Sequence, residues 1–132
     1  MEVKIDTKEK FTVVTPITSD LTANIAALLI QKCEILLNQP IKNVVLNMGL
    51  IEKVDENVVE LIMNLQQQFY DNSASFVICN FQKQVNDQLE EMEIAEMLNI
   101  TPTESEAWDI VQMEEIEREL LDGDDVNFES NS

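Results

Sequence analysis

The sequence predicts a single α/β domain, a mixed sheet of four to five strands flanked by about four α-helices. Three observations predict it. Strand-type and helix-type periods alternate along the chain. Two short, nearly continuous apolar runs, "NVVLNM" (43–48) and "SFVICNF" (75–81), have the pattern of strands buried on both faces. The chain has 132 residues, 45% of them hydrophobic, enough for one real core and too apolar for a disordered chain.

The elements follow in order. "VKID" (3–6) and "FTVVTPI" (11–17) alternate as strands and are joined by the charged turn 7–10. Pro16 favours an edge strand or a strand end. "TSD" (18–20) offers N-cap candidates for a first helix. From Leu21 the period becomes helical, with Leu21, Ile25, Leu28, Leu29 and Leu36 on one face, until "NQP" (38–40) stops it.

After the buried strand 43–48 comes "EKVDENVVEL" (52–61), where an extended segment runs into a second helix. Asp55 is its expected N-cap, and Val58, Ile62, Leu65 and Phe69 share a face. "DNS" (71–73) ends it, and the strand 75–81 follows. Val85, Leu89 and Met92 mark a third helix that leads into the apolar patch 94–98. A short extended piece precedes Thr103 and Glu106, which have capping-box spacing for a last helix. That helix carries Trp108, Val111, Ile116 and Leu120, with Trp108 as a core anchor and Glu114–Arg118 as an i,i+4 pair. The expected division is a domain over 1–121 and an acidic disordered tail over 122–132.

Charge narrows the function. Eight basic residues face 26 acidic ones, for a net charge of −18. Such a surface repels phosphodiester backbones and anionic membranes and favours a basic protein partner. No apolar run is long enough to span a bilayer, and the N-terminus has no signal-peptide core, so a cytoplasmic protein without membrane insertion is expected. There is no histidine, which removes the commonest general base and most transition-metal sites. Adjacent carboxylates such as Glu90–Glu91 and Glu114–Glu115 point apart on a helix, and nothing converges with them. The expectation is no catalytic residue, no metal and no cofactor. Cys33 and Cys79 lie in apolar surroundings without CxxC spacing and read as small buried hydrophobes of a reduced compartment.

The run "VVLNMGLIEKVDENVVELIM", followed by "SFVICNFQKQVNDQLEEMEIAEML", resembles the STAS domain of bacterial anti-sigma factor antagonists, and "TSDLTA" (18–23) is similar to the family's loop before its first helix. The likeness spans roughly residues 1–121. It implies a non-catalytic regulatory domain that binds a protein partner, such as an anti-sigma factor kinase. It also implies a partner-binding surface over Ser19, Asp20, Leu21 and Thr22 together with Asp55, Glu56, Asn57, Val58 and Val59. In the family a kinase phosphorylates a serine in an Asp-Ser-Ser-Gly turn. The matching positions here are Asp55, Glu56, Asn57 and Val58, so Glu56 is the phosphorylation-site equivalent. No Ser or Thr occurs between Thr22 and Ser73 to take that role, and the strand's usual Asp is Asn47.

A helix start carrying Asp55 and Glu56 repels an anion and has no hydroxyl to phosphorylate. Two readings of Glu56 remain: a first-turn charge that stabilises the helix by about 0.3–1 kcal/mol, and a partial imitation of a phosphoserine, one charge against about 1.5 to 2. The resemblance also allows an alternative, a cytoplasmic STAS subunit of a membrane transporter such as a lipid-transport ABC system, which needs no phosphorylation. Nucleotide binding is a third class, against which stand the acidic balance and the lack of a glycine-rich phosphate loop. "MEEIERELLDGDD" (113–125) reads either as a solvated helix end or as a docking helix, for a basic groove or for a homodimer through this C-terminal helix. Met92, Met97 and Met113 read as core or as an adaptable contact surface.

Overall fold

The computed structural model describes residues 2–131, with side chains described as far as Leu121. The chain opens with a hairpin, β1 (Glu2–Thr7) against β2 (Thr12–Ile17), antiparallel from Thr7↔Thr12 to Glu2↔Ile17. The later strands are β4 (Val44–Asn47), β6 (Phe76–Cys79) and β7 (Ile100–Thr101). They extend the sheet in the order β1-β2-β4-β6-β7, all parallel to β2. Helical crossovers supply the connections that parallel strands need: α1 (Ala23–Leu36), α2 (Glu56–Asp71) and α3 (Lys83–Glu91). A 3-10 turn (Ala95–Met97) leads to β7, and α4 (Glu104–Asn131) closes the order.

Both sheet faces are covered, so successive strand residues serve opposite cores. Val14, Val44, Leu46, Phe76 and Ile78 face α1, α2 and α3, where Leu29, Val58, Ile62, Leu65, Phe69 and Leu89 meet them. Val13, Val45, Val77 and Cys79 face the other way, against Ala107 and Val111 of α4. Trp108 stacks on Phe11, ring centroids 4.9 Å apart, and anchors the second core. The α2 face expected from spacing is buried throughout.

Three sequence expectations change, and a fourth, for Pro16, is resolved between its two alternatives. The inner face of α1 is Ala26, Leu29 and Cys33, while Leu28 is 46% exposed, because Leu21 belongs to an extended segment that precedes the helix. The cap of α1 is Thr22, whose Oγ1 accepts from the Ile25 amide at 3.4 Å, rather than a residue of 18–20. Of the two places open to Pro16, the strand end is the one found: β2 is an interior strand, but Pro16 is its penultimate residue and β4 pairs with β2 only as far as Val14, so no ladder bond is lost to the missing N–H. Arg118 does not pair with Glu114. Its guanidinium donates to Ser75 Oγ (3.2 Å) and Asn43 Oδ1 (3.4 Å), while Glu114 accepts from Asn99 Nδ2 (3.2 Å).

Asn43 organises the end of the sheet from which β4 and β6 start. Its amide nitrogen donates to Lys10 O (3.0 Å) and Glu115 Oε2 (2.9 Å), and its Oδ1 accepts from the Ser75 amide (2.8 Å). One buried side chain thus ties the hairpin turn, β4, β6 and α4 together. Half of the predicted capping box forms at α4: Thr103 Oγ1 accepts from the Glu106 amide at 3.2 Å, while Glu106 Oε1 accepts from the Thr103 hydroxyl at 3.4 Å instead of from the Thr103 amide. Helix α4 continues beyond the expected end at 121, and the tail expected over 122–132 falls where side chains lie outside the description.

Candidate functional site

Two two-residue strands, absent from the expected order, build the site. β3 (Asp20–Leu21) precedes α1, β5 (Lys53–Val54) precedes α2, and they pair in parallel as a separate small sheet, Asp20↔Lys53 and Leu21↔Val54. The amides of Glu52 and Lys53 both donate to Ser19 O (2.7 and 3.1 Å), and the Asp55 amide donates to Leu21 O (3.1 Å). Leu21 and Val54 point into the core beneath this ladder. The ladder brings the segments 19–22 and 52–57 side by side at the starts of two helices.

Asp55 occupies the N-cap position of α2 with extended backbone, φ −68° and ψ 142°, yet its side chain makes no capping hydrogen bond. Its carbonyl accepts from the Val58 amide at 2.9 Å. The exposed Asp55 carboxylate is therefore presented to solvent rather than folded over the helix end. Glu56 is the first residue of α2 and is exposed, as is Asn57.

The nine residues expected at the surface divide into two groups. Ser19, Asp20, Asp55, Glu56 and Asn57 are exposed, and Thr22 is half-buried because its hydroxyl caps α1. Leu21, Val58 and Val59 are buried in the main core, so their side chains support the surface from below and do not line it. The physical reason is the period of each element: in β3 and in the first turn of α2 the apolar residues take the inward positions. With Glu52 and Lys53, the exposed part carries four carboxylates (Asp20, Glu52, Asp55, Glu56) and one ammonium.

Residues that spacing did not reveal buttress the surface. Gln88 Nε2 of α3 donates to Val54 O (2.8 Å), and Gln82 Nε2 donates to Gly49 O (2.9 Å). Asn47, at the end of β4, accepts from the Gly49 amide through Oδ1 (2.9 Å) and folds the chain sharply before β5. A Cβ on Gly49 would stand 3.0 Å from that oxygen, so the turn favours glycine by close approach. Surface glutamines on an amphipathic helix carry no sequence signal for these long-range bonds.

Among the described residues no group of three or more acidic or cysteine side chains is placed to hold a metal, and no helix is long and apolar enough to cross a membrane. Both cysteines are fully buried, and burial pushes each thiol up to about 12.

The geometry is similar to that of several solved structures. A putative anti-sigma factor antagonist from Thermotoga maritima aligns with a TM-score of 0.72 at 18% identity, over 83% of this chain and 94% of its own. The murine anion transporter Slc26a9 aligns with a TM-score of 0.64 at 16% identity, over 79% of this chain but 18% of the transporter. The Bacillus cell fate determinant SpoIIAA, in its phosphorylated form, aligns with a TM-score of 0.61 at 13% identity, over 83% of this chain and 99% of its own. At such identities the likeness is one of fold. No curated protein matches the sequence. The STAS domain family model matches residues 2–107, four-fifths of the sequence, and the chain belongs to that family.

Proposed function

We propose that this STAS domain is a non-catalytic binding module whose working surface is the acidic face formed by Ser19, Asp20 and Thr22 with Asp55, Glu56 and Asn57. The observation that carries the reading is the exposed Glu56 at the first position of α2, beside the β3–β5 ladder. The family resemblance puts a modifiable serine at this place. Here a carboxylate stands there permanently, so the domain holds one state where its switchable relatives alternate between two. Its partner is a regulatory protein such as an anti-sigma factor kinase, and it acts by occupying that partner. The acidic face matches a basic partner surface, which speeds encounter and fixes orientation.

The outer face of α4 extends the same logic. Met113, Ile116 and Leu120 are 50–58% exposed along one side, flanked by Glu117 and Glu119. Two copies meeting here would oppose carboxylates, so a basic amphipathic segment of the partner fits this stripe better than a second copy does.

The test is affinity for a candidate anti-sigma kinase, comparing Glu56→Ser, Glu56→Ala and Ile116→Glu with the parent chain. Weaker binding by Glu56→Ser and Glu56→Ala supports the fixed-state reading. Unchanged affinity in both leaves Glu56 as a helix-start charge. The Slc26a9 likeness favours a second reading, a domain bracing a transporter. Co-purification with a permease and an ATPase, and not with a kinase, would decide for it.

A further inference from the structure

We infer that the free edge of β1 is a self-pairing surface, which joins two copies of this chain through antiparallel β1–β1 contact about a two-fold axis at Ile5. β1 is the terminal strand of the sheet, and five of its six residues are exposed. Ile5 is 46% exposed in its middle. An open edge of this length is a template for another strand unless its side chains forbid it.

The backbone direction is fixed. The Lys8 amide donates to Phe11 O across the hairpin turn at 2.7 Å, in the same register as the strand pairs. Antiparallel ladders alternate, so Lys8, Asp6, Lys4 and Glu2 turn their backbone groups toward β2, and Thr7, Ile5 and Val3 turn theirs outward. A two-fold at Ile5 sets Ile5 opposite Ile5, and Val3 opposite Thr7 of the second copy. All of these residues have outward groups, so they form hydrogen-bonded pairs and about six new backbone bonds.

The side chains select the same register. With Ile5 on the axis, Lys4 lies opposite Asp6 of the second copy, and Glu2 opposite its Lys8. Every charge then meets its opposite on one face of the sheet, and the Ile5 pair makes an apolar contact on the other face. A shift of the axis to Lys4 opposes Lys4 to Lys4 and Glu2 to Asp6. A shift to Asp6 opposes Asp6 to Asp6 and Lys4 to Lys8. Both put like charges together on the same sheet face. The pattern E-V-K-I-D-T-K is thus complementary to itself in one register and repulsive in its neighbours.

The surrounding charge permits the approach. Residues 2–10 contain three acidic side chains (Glu2, Asp6, Glu9) and three basic ones (Lys4, Lys8, Lys10), a neutral patch on a chain of net charge −18. Asp6 and Lys8 already pair within the strand end at 2.8 Å, both well exposed, and remain able to share the second copy's groups. A second copy, not an unrelated strand, is the occupant because the complementarity is two-fold.

Sedimentation equilibrium of the full chain, over concentrations reaching millimolar, tests the pairing. The parent is expected to dimerise. Ile5→Pro removes an outward N–H and spares the bonds to β2, so it should give a monomer with an unchanged far-UV circular dichroism spectrum. Lys4→Asp, which places carboxylates opposite Asp6 at two symmetric positions, should weaken the dimer about ten-fold or more. Adding Asp6→Lys to it should restore the dimer by swapping the pair. A parent that stays monomeric at every concentration overturns the inference. So does a dimer that survives Ile5→Pro, as one through α4 would, or a charge swap that fails to restore association.

Discussion

The amide of Asp55 donates to the carbonyl of Leu21 across 3.1 Å, and this bond sets the start of α2 beside the start of α1. Leu21 is fully buried in β3, so the ladder is held from below by core packing as well as by its own hydrogen bonds. Leu21→Ala should cost about 2–5 kcal/mol of stability by leaving a cavity. It should also speed hydrogen exchange of the Lys53 and Asp55 amides beyond the change in the α2 interior. Denaturant unfolding and exchange measured on one sample check both parts. Exchange that rises uniformly would show that Leu21 holds the core but not the ladder.

Glu56 is expected to matter little for stability. It is exposed and contributes one first-turn charge. Glu56→Ala should lower unfolding free energy by about 0.3–1 kcal/mol. A loss well above that range in a urea titration would contradict the exposed placement and undermine the recognition role proposed for it.

Asn43 is the polar keystone of the opposite end. Asn43→Ala removes the acceptor of the buried Ser75 amide and the donor to Lys10 O and Glu115. An unsatisfied buried donor alone costs about 1–3 kcal/mol, so this change should be among the most damaging polar substitutions. Arg118→Ala should cost less, since its bonds to Ser75 and Asn43 are long and the side chain is half-buried. The two effects should not add, because the residues share partners. Ending the chain after Val111 removes Glu115 and Arg118 together and should lower the thermal midpoint.

The thiols should be inert when the protein is folded. Burial holds Cys33 and Cys79 near 12 against an ordinary 9.0, so at pH 8 each presents about a thousand-fold less thiolate than a free cysteine. Ellman's reagent should therefore react only after denaturant is added. The raised folded-state value means that the unfolded chain loses these protons first. Their contribution to stability is complete below pH 9.0 and is lost as pH rises toward about 12. A denaturation midpoint that stays level across that window would contradict their burial.

Long-period features were legible in the sequence. The Val58–Ile62–Leu65–Phe69 face, the two strands buried on both sides and the Thr103 cap on the Glu106 amide follow from local pattern and lie where that pattern puts them. The strand-to-helix junction at Glu56 was legible for the same reason. β3 and β5 were not, because two residues show no period and their pairing joins positions more than thirty apart in sequence. Gln88, Asn43 and Arg118 were equally silent, since a polar side chain on a helix or at a strand end does not disclose a distant backbone partner.

By itself the amino-acid sequence determined the class of fold, the inward face of α2, the two strands buried on both sides and the acidic character of the surface, because periodicity and charge are local properties of a chain. Only the tertiary structure decided that Leu21, as part of β3, and Val59 lie beneath the surface while Asp20, Asp55 and Glu56 form it. Parallel pairing of two short strands made that division, and it depends on where two helices come to rest against one sheet.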